Sequence, residues 1–140
     1  MTIPGKTVLI VDDEVSNLKI LNNLLNNDAD IFLAKTAAKA LSIAKSQHPS
    51  LILLDVLMVD VSGFDLIKQL KSEPVTKDIP VIFVTGLDSV EDEERGFALG
   101  ACDYIQKPFH SCIVKARVKL HLQLSQQKAQ LAMQAYVDTL

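Results

Sequence analysis

Sulfur, net charge and long apolar runs are all scarce in this 140-residue chain, and each scarcity removes a class of function. Two cysteines, Cys102 and Cys112, are too few and too oddly spaced for a disulfide framework or a zinc site. They read as reduced thiols of a cytoplasmic protein. A net charge of −3 offers no general field for attracting nucleic acid. The small basic cluster of Lys115, Arg117 and Lys119 is explained at least as well by a solvated helix face. No apolar stretch approaches the about 20 residues needed to span a bilayer. The opening, Met1 to Lys6, lacks the apolar core of a signal peptide. There is no internal repeat and no low-complexity stretch. What is present is a chain that is 49% hydrophobic, enough to bury one good core in one domain.

The apolar residues come in short β-branched-rich runs that alternate with helical patterns five times. Such runs read as buried parallel strands. Thr7 to Val11 is the first strand, followed by a helix from Val15 to Asn27 with Leu18, Leu21, Leu24 and Leu25 on one face. Asp30 to Ala34 forms a more edge-like strand, and Thr36 caps an alanine-rich helix over Ala37 to Ser46, before the Pro49 turn. A third strand ends at Asp55, and a turn at Ser62-Gly63 leads into a helix from Phe64 to Ser72. Pro80 opens the fourth strand. Asp88, with Glu91 three residues on, resembles a capping box for a helix that stops at Gly100. Asp103 to Gln106 is the fifth strand, and the last helix starts near His110. This (βα)5 alternation implies a five-stranded parallel sheet, doubly wound, with right-handed crossovers and helices on both faces.

Four strands run directly into polar residues. Val8-Leu9-Ile10-Val11 precedes Asp12-Asp13, and Leu51-Ile52-Leu53-Leu54 precedes Asp55. Val81-Ile82-Phe83-Val84 precedes Thr85-Gly86, and Tyr104-Ile105-Gln106 precedes Lys107-Pro108. In an open α/β sheet the ligand site lies beyond the carboxyl ends of the strands. Three carboxylates, a hydroxyl and an ammonium are therefore expected on one edge. Carboxylates so placed repel one another, and a hard cation removes the repulsion. Magnesium suits such an oxygen set, and no histidine or cysteine lies near enough to favour zinc. Lys107 is expected to pair with a carboxylate or with phosphate oxygen. Thr85 offers a donor, and Gly86 lets main chain approach closely. The set fits an aspartate, Asp55, that accepts a phosphoryl group.

These segments, together with Gly100-Ala101-Cys102-Asp103-Tyr104-Ile105-Gln106-Lys107-Pro108-Phe109, resemble the receiver domain of two-component response regulators over Lys6 to Leu122. The resemblance implies a flavodoxin-like strand order 2-1-3-4-5. It implies Asp55 as phosphoacceptor, and Mg2+ held by Asp12, Asp13, Asp55 and the carbonyl of Leu57. Thr85 and Lys107 would bind the phosphoryl group, and Tyr104 would turn inward when Thr85 moves. The implied donor is a sensor histidine kinase or phosphotransfer protein, with the signal leaving through the fourth helix, fifth strand and fifth helix. One departure is visible: the family commonly has proline four residues after the phosphoacceptor, where this chain has Val59.

Helix-favouring sequence continues from Gln123 to Ala135 with neither glycine nor proline. A helix from His110 to Asp138 would be about 43 Å long at 1.5 Å per residue, longer than the domain needs. Leu120, Leu124 and Leu131 share a stripe that Gln127 interrupts. The expectation is a receiver over residues 1–122 and a helical extension over 123–140. That extension pairs with a second copy or leads to an output domain in a longer parent. Tyr136-Val137-Asp138-Thr139-Leu140 resembles the opening of a diguanylate cyclase domain, although no cyclase site lies in these residues. Two other readings compete with this one. A Mg2+-dependent phosphatase would carry its nucleophile in Asp-x-Asp after the first strand, a spacing that Asp12-Asp13-Glu14 lacks. A stand-alone receiver would act by partner docking, with the extra helix only a tail.

Overall fold

The computed structural model describes residues 6–140; the first five, on which the reading of the chain's opening rests, lie outside the described residues. Five strands, β1 (Thr7–Val11), β2 (Asp30–Ala34), β3 (Leu51–Leu54), β4 (Val81–Thr85) and β5 (Asp103–Gln106), alternate with five helices. These are α1 (Val15–Leu25), α2 (Ala37–Gln47), α3 (Gly63–Ser72), α4 (Val90–Ala98) and α5 (Ser111–Asp138). All strand pairs are parallel, in the order β2-β1-β3-β4-β5.

Side chains alternate between the faces of a strand, and the core divides accordingly. Val8, Ile10, Leu51, Leu53, Ile82 and Val84 pack with Leu18, Leu21 and Leu25 of α1 and with Val114, Val118 and Leu122 of α5. Leu9, Val11, Ile52, Leu54, Val81 and Phe83 meet the alanines of α2 and Phe64, Leu66, Ile67 and Leu70 of α3 on the other face. Every residue of β3 and β4 is buried, whereas β2 at the edge is mostly half-exposed. The small side chains Ala37, Ala40 and Ala44 line the buried side of α2.

Local signals set the helix ends. The Thr36 hydroxyl accepts from the Lys39 N–H at 3.2 Å, as expected of an N-cap. The α4 cap differs from expectation by one residue. Ser89, not Asp88, accepts from the Asp92 N–H at 3.1 Å and donates to the Asp92 carboxylate at 2.7 Å. Ser89-x-x-Asp92 is thus the reciprocal pair, and the acidic first turn suits the positive end of the helix. Helix α1 ends at Leu25, two residues earlier than the apolar pattern implied, and Leu24 is only half-buried. Gly100, at φ +110°, makes the left-handed turn from α4 into β5.

Helix α5 has 28 residues, about 42 Å at 1.5 Å per residue. Leu122 is its last buried side chain. Beyond it the Ser125 hydroxyl donates to the Ser50 carbonyl at 3.1 Å, at the amino end of β3. Leu124, Leu131, Met133, Tyr136 and Val137 are exposed. None of the described helices is long and apolar enough to cross a membrane.

Candidate functional site

Pairing of Val11 with Leu54, Leu54 with Phe83, and Thr85 with Gln106 aligns the carboxyl ends of four strands. The ladder runs one residue further on β1, β3 and β5. The Asp12 N–H donates to the Ala34 carbonyl at 3.1 Å, the Asp55 N–H to the Val11 carbonyl at 3.0 Å, and the Lys107 N–H to the Thr85 carbonyl at 2.8 Å. The backbone of each polar residue is therefore fixed by its neighbouring strand, and the side chains have one edge to share.

Asp12, Asp13 and Asp55 each offer a carboxylate oxygen within 4.8 Å of the others. Asp12 is 2% exposed and Asp55 6%, while Asp13 is half-buried. Main-chain donors orient all three: Glu14 N–H on Asp12 at 2.9 Å, Leu57 N–H on Asp55 at 3.2 Å, and Val59 N–H on Asp13 at 2.9 Å. The Lys107 ammonium lies 2.8 Å from Asp12 and 3.2 Å from Asp55. Burial disfavours that ammonium, but the hydrogen bond to Asp12 and the charges of Asp55 and Asp12 outweigh it, and its pKa is raised. Three carboxylates against one ammonium leave two negative charges uncompensated. A hard divalent cation with oxygen ligation fits that deficit and that donor set.

Thr85 is fully buried, and its hydroxyl accepts a long hydrogen bond from the Leu87 N–H at 3.4 Å. Tyr104 stands apart from the carboxylates. Its hydroxyl donates to the Leu87 carbonyl at 2.8 Å, so it is tied to the loop after β4 and not left in water. Burial and then the charges of Asp92, Glu93, Asp88 and Asp55 push its pKa up to about 12. The Tyr104 ring is 6.2 Å from Phe83, which packs edge-on against Phe64 at 5.5 Å. Arg95 covers Phe64 at 4.4 Å, so this aromatic row runs beneath α4.

Gly63 and Gly86 have opposite surroundings. A Cβ at Gly86 would meet nothing within 4 Å, so no part of the protein requires glycine there. A Cβ at Gly63 would collide with the Asp55 carbonyl oxygen and lie 2.7 Å from the Val56 Cα. Close approach is needed at the start of α3, under the loop that carries Leu57. That loop is also held by the Asp60 carboxylate, which accepts from the Ala37 N–H at 3.0 Å; this contact holds the Asp60 pKa below its usual range.

The sequence reading also missed a clamp on the far side of β5. Asp103 accepts from Arg117 at 2.7 Å and lies 3.0 Å from the His121 ring, so Arg117 is not merely part of a solvated face. Burial would raise the Asp103 pKa, but the Tyr104 N–H, His121 and Arg117 lower it on balance. A depressed carboxylate pKa contributes stability above the unfolded value near 3.8 and loses it as pH falls through the folded value. Asp103→Asn is accordingly expected to lower the melting temperature at pH 7 and to converge with wild type below pH 3.8. Thermal melts across pH check this, and a pH-independent gap would contradict it.

A doubly wound sheet with three carboxylates, a buried threonine and a bridging lysine at its carboxyl edge defines an acidic pocket of the kind that handles phosphoryl groups. The chain belongs to the response regulator receiver domain family, whose family model matches residues 8–119. It is similar to a Vibrio cholerae protein named "Probable cyclic di-GMP phosphodiesterase", 42% identical over 122 residues, covering 87% of this chain and 28% of that one. It is also similar to the response regulator PleD of Caulobacter vibrioides, 35% identical over 113 residues, covering 80% of this chain and 25% of that one. Among solved structures, a signal receiver domain from Vibrio parahaemolyticus superposes with a TM-score of 0.85 at 27% identity, covering 90% of this chain and 96% of that one. A CheY-like receiver from Methanospirillum hungatei gives 0.81 at 26% identity, covering 88% and 98%. The chain thus spans about a quarter of the length of these two curated relatives.

Proposed function

We propose that this receiver domain takes a phosphoryl group on Asp55, with Mg2+ held by Asp12, Asp13, Asp55 and the Leu57 carbonyl. The observation that carries this reading is Lys107, whose ammonium touches Asp12 and Asp55 beside the three-carboxylate cluster. A bound Mg2+ supplies charge neutralisation for the transferred group. The chain's own residues do the rest. An Asp55 oxygen attacks phosphorus and the phosphorus–nitrogen bond of a phosphohistidine donor breaks, its electron pair staying on nitrogen; with the other ring nitrogen already protonated, the donor leaves as neutral imidazole. Lys107 balances the negative charge carried in by the phosphoryl oxygens. Thr85 turns its hydroxyl towards them, and Tyr104, bound to the same loop through Leu87, follows.

The donor is a sensor histidine kinase or phosphotransfer protein in the cytoplasm. Residues 1–122 form the receiver and residues 123–140 a helical extension that relays the state of Asp55. The exposed Leu120, Leu124 and Leu131 on α5 support pairing with a second copy. The relatives named above are several times longer than the matched segment, which supports an output domain in a longer parent. The name of the Vibrio cholerae relative supports cyclic di-GMP turnover as that output, and the likeness of Tyr136-Val137-Asp138-Thr139-Leu140 to a cyclase opening favours a diguanylate cyclase. Truncation after Leu122 is expected to lower the solution mass measured by sedimentation; an unchanged dimer would place the interface on the globular domain.

Intact mass after incubation with acetyl phosphate and Mg2+ tests the assignment. Wild type gains one phosphoryl group, while Asp55→Ala stays folded and gains none. Equal labelling of the variant would exclude Asp55 as acceptor. No labelling of a wild-type protein shown to bind Mg2+ would instead favour partner docking without phosphorylation.

A further inference from the structure

Asp13 differs from its two neighbours in how it is held. Asp12 and Asp55 are buried, each touches Lys107, and each accepts an N–H from two residues along its own loop. Among the described residues, the hydrogen-bond partner of Asp13 is the Val59 N–H, 46 positions away in the loop between β3 and α3. Val59 as a residue is 93% exposed, so its side chain contributes almost no packing. What Val59 brings to the site is its backbone donor.

We infer that the Val59 main-chain N–H is a positioning group for the metal, fixing the Asp13 carboxylate so that its other oxygen is presented to the cation. The inference rests on the proposed Mg2+ site. A carboxylate has lone pairs to spare when one oxygen accepts an N–H, and a charge-assisted bond of 2.9 Å orients it without neutralising it. Groups that orient metal ligands in this way typically govern ten- to a hundredfold in affinity. The donor is itself held in place. Leu57, two residues before it, donates to Asp55, and Asp60, one residue after it, caps the amino end of α2 at Ala37. The Leu57 carbonyl therefore lies on a segment pinned from both sides to the carboxylates it would join. Proline has no N–H, so a chain with proline at this position cannot form the link. Here valine supplies what the commoner residue could not.

Two variants of the full 140-residue chain separate backbone from side chain. Val59→Ala keeps the N–H, and its Mg2+ dissociation constant by calorimetry is expected to match wild type. Val59→Pro removes the N–H, and its dissociation constant is expected to rise about tenfold, the low end for orienting groups. Equal Mg2+ affinity in wild type and Val59→Pro overturns the inference while leaving the metal site intact. Absence of Mg2+ binding by wild type overturns the metal site, and with it the inference. A second readout needs no variant. In the wild-type protein without metal, the Val59 amide proton is expected to exchange with water more slowly than the amides of exposed loop residues. Exchange at the unprotected rate would also overturn the inference, even if Val59→Pro failed to fold.

Discussion

Lys107→Ala is expected to lose about 3 kcal/mol of stability in the absence of divalent cations and to recover most of it when Mg2+ is added. Lys107 supplies the ammonium against Asp12 and Asp55, both almost fully buried. Removing one partner of a buried ion pair costs about 3–5 kcal/mol, because the remaining charge has neither solvent nor partner. The partial exposure of Lys107 places the expected value at the lower end. Mg2+ neutralises the same carboxylates, and a ligand bound only by the folded state adds stability according to its concentration over its dissociation constant. The Mg2+-induced rise in melting temperature is therefore larger in the variant than in wild type, while phosphorylation no longer produces the response. Thermal melts with and without Mg2+ read the first effect. A variant as stable as wild type in metal-free buffer would show that the ammonium does not hold the carboxylates together.

Gly63→Ala has the second large effect, and its mechanism is steric. The added methyl would meet the Asp55 carbonyl oxygen and the Val56 backbone, neither of which can rotate away. Gly63 also donates its N–H to the Val56 carbonyl at 2.9 Å, which closes the loop onto the start of α3. Either α3 moves outward from Phe83 or the loop carrying Leu57 shifts. Overpacking costs about 1–3 kcal/mol and more when backbone must give, so a fall in melting temperature on the order of 10 °C is expected. Mg2+ affinity should fall with it, since the shifted loop includes Leu57 and Val59. Gly86→Ala, where a Cβ meets nothing, provides the contrast and should melt within about 2 °C of wild type. Similar melting of the two variants would show that Gly63 is not the tight point.

Most of the architecture was legible because one rule wrote it twice. The period-2 alternation that makes Val8 and Ile10 face α1 and α5 also turns Leu9 and Val11 towards α2 and α3. Runs of that kind reveal both the strands and the positions just beyond them. Asp12, Asp13, Asp55, Thr85 and Lys107 could be found because each lies at or just beyond the carboxyl end of a strand, and parallel strands end together. What was not legible depends on tertiary register. Asp103 meets Arg117 and His121 only because α5 crosses β5 at one angle, and Val59 meets Asp13 only because two loops share an edge. Nor does any local pattern distinguish Gly63 from Gly86, since crowding is set by the neighbouring strand. The α4 cap was ambiguous for a different reason. Asp88 and Ser89 are both good caps, and the reciprocal bond to Asp92 decides between them.

The phosphoryl group is expected on Asp55, with Mg2+ required to put it there. Borohydride reduces an aspartyl phosphate to homoserine, so its position can be fixed by peptide mass after treatment with acetyl phosphate. The expected result is homoserine at position 55 in the Mg2+ sample and at no position with chelator present. Homoserine at position 12 or 13, or equal conversion of Asp55 without metal, would contradict it.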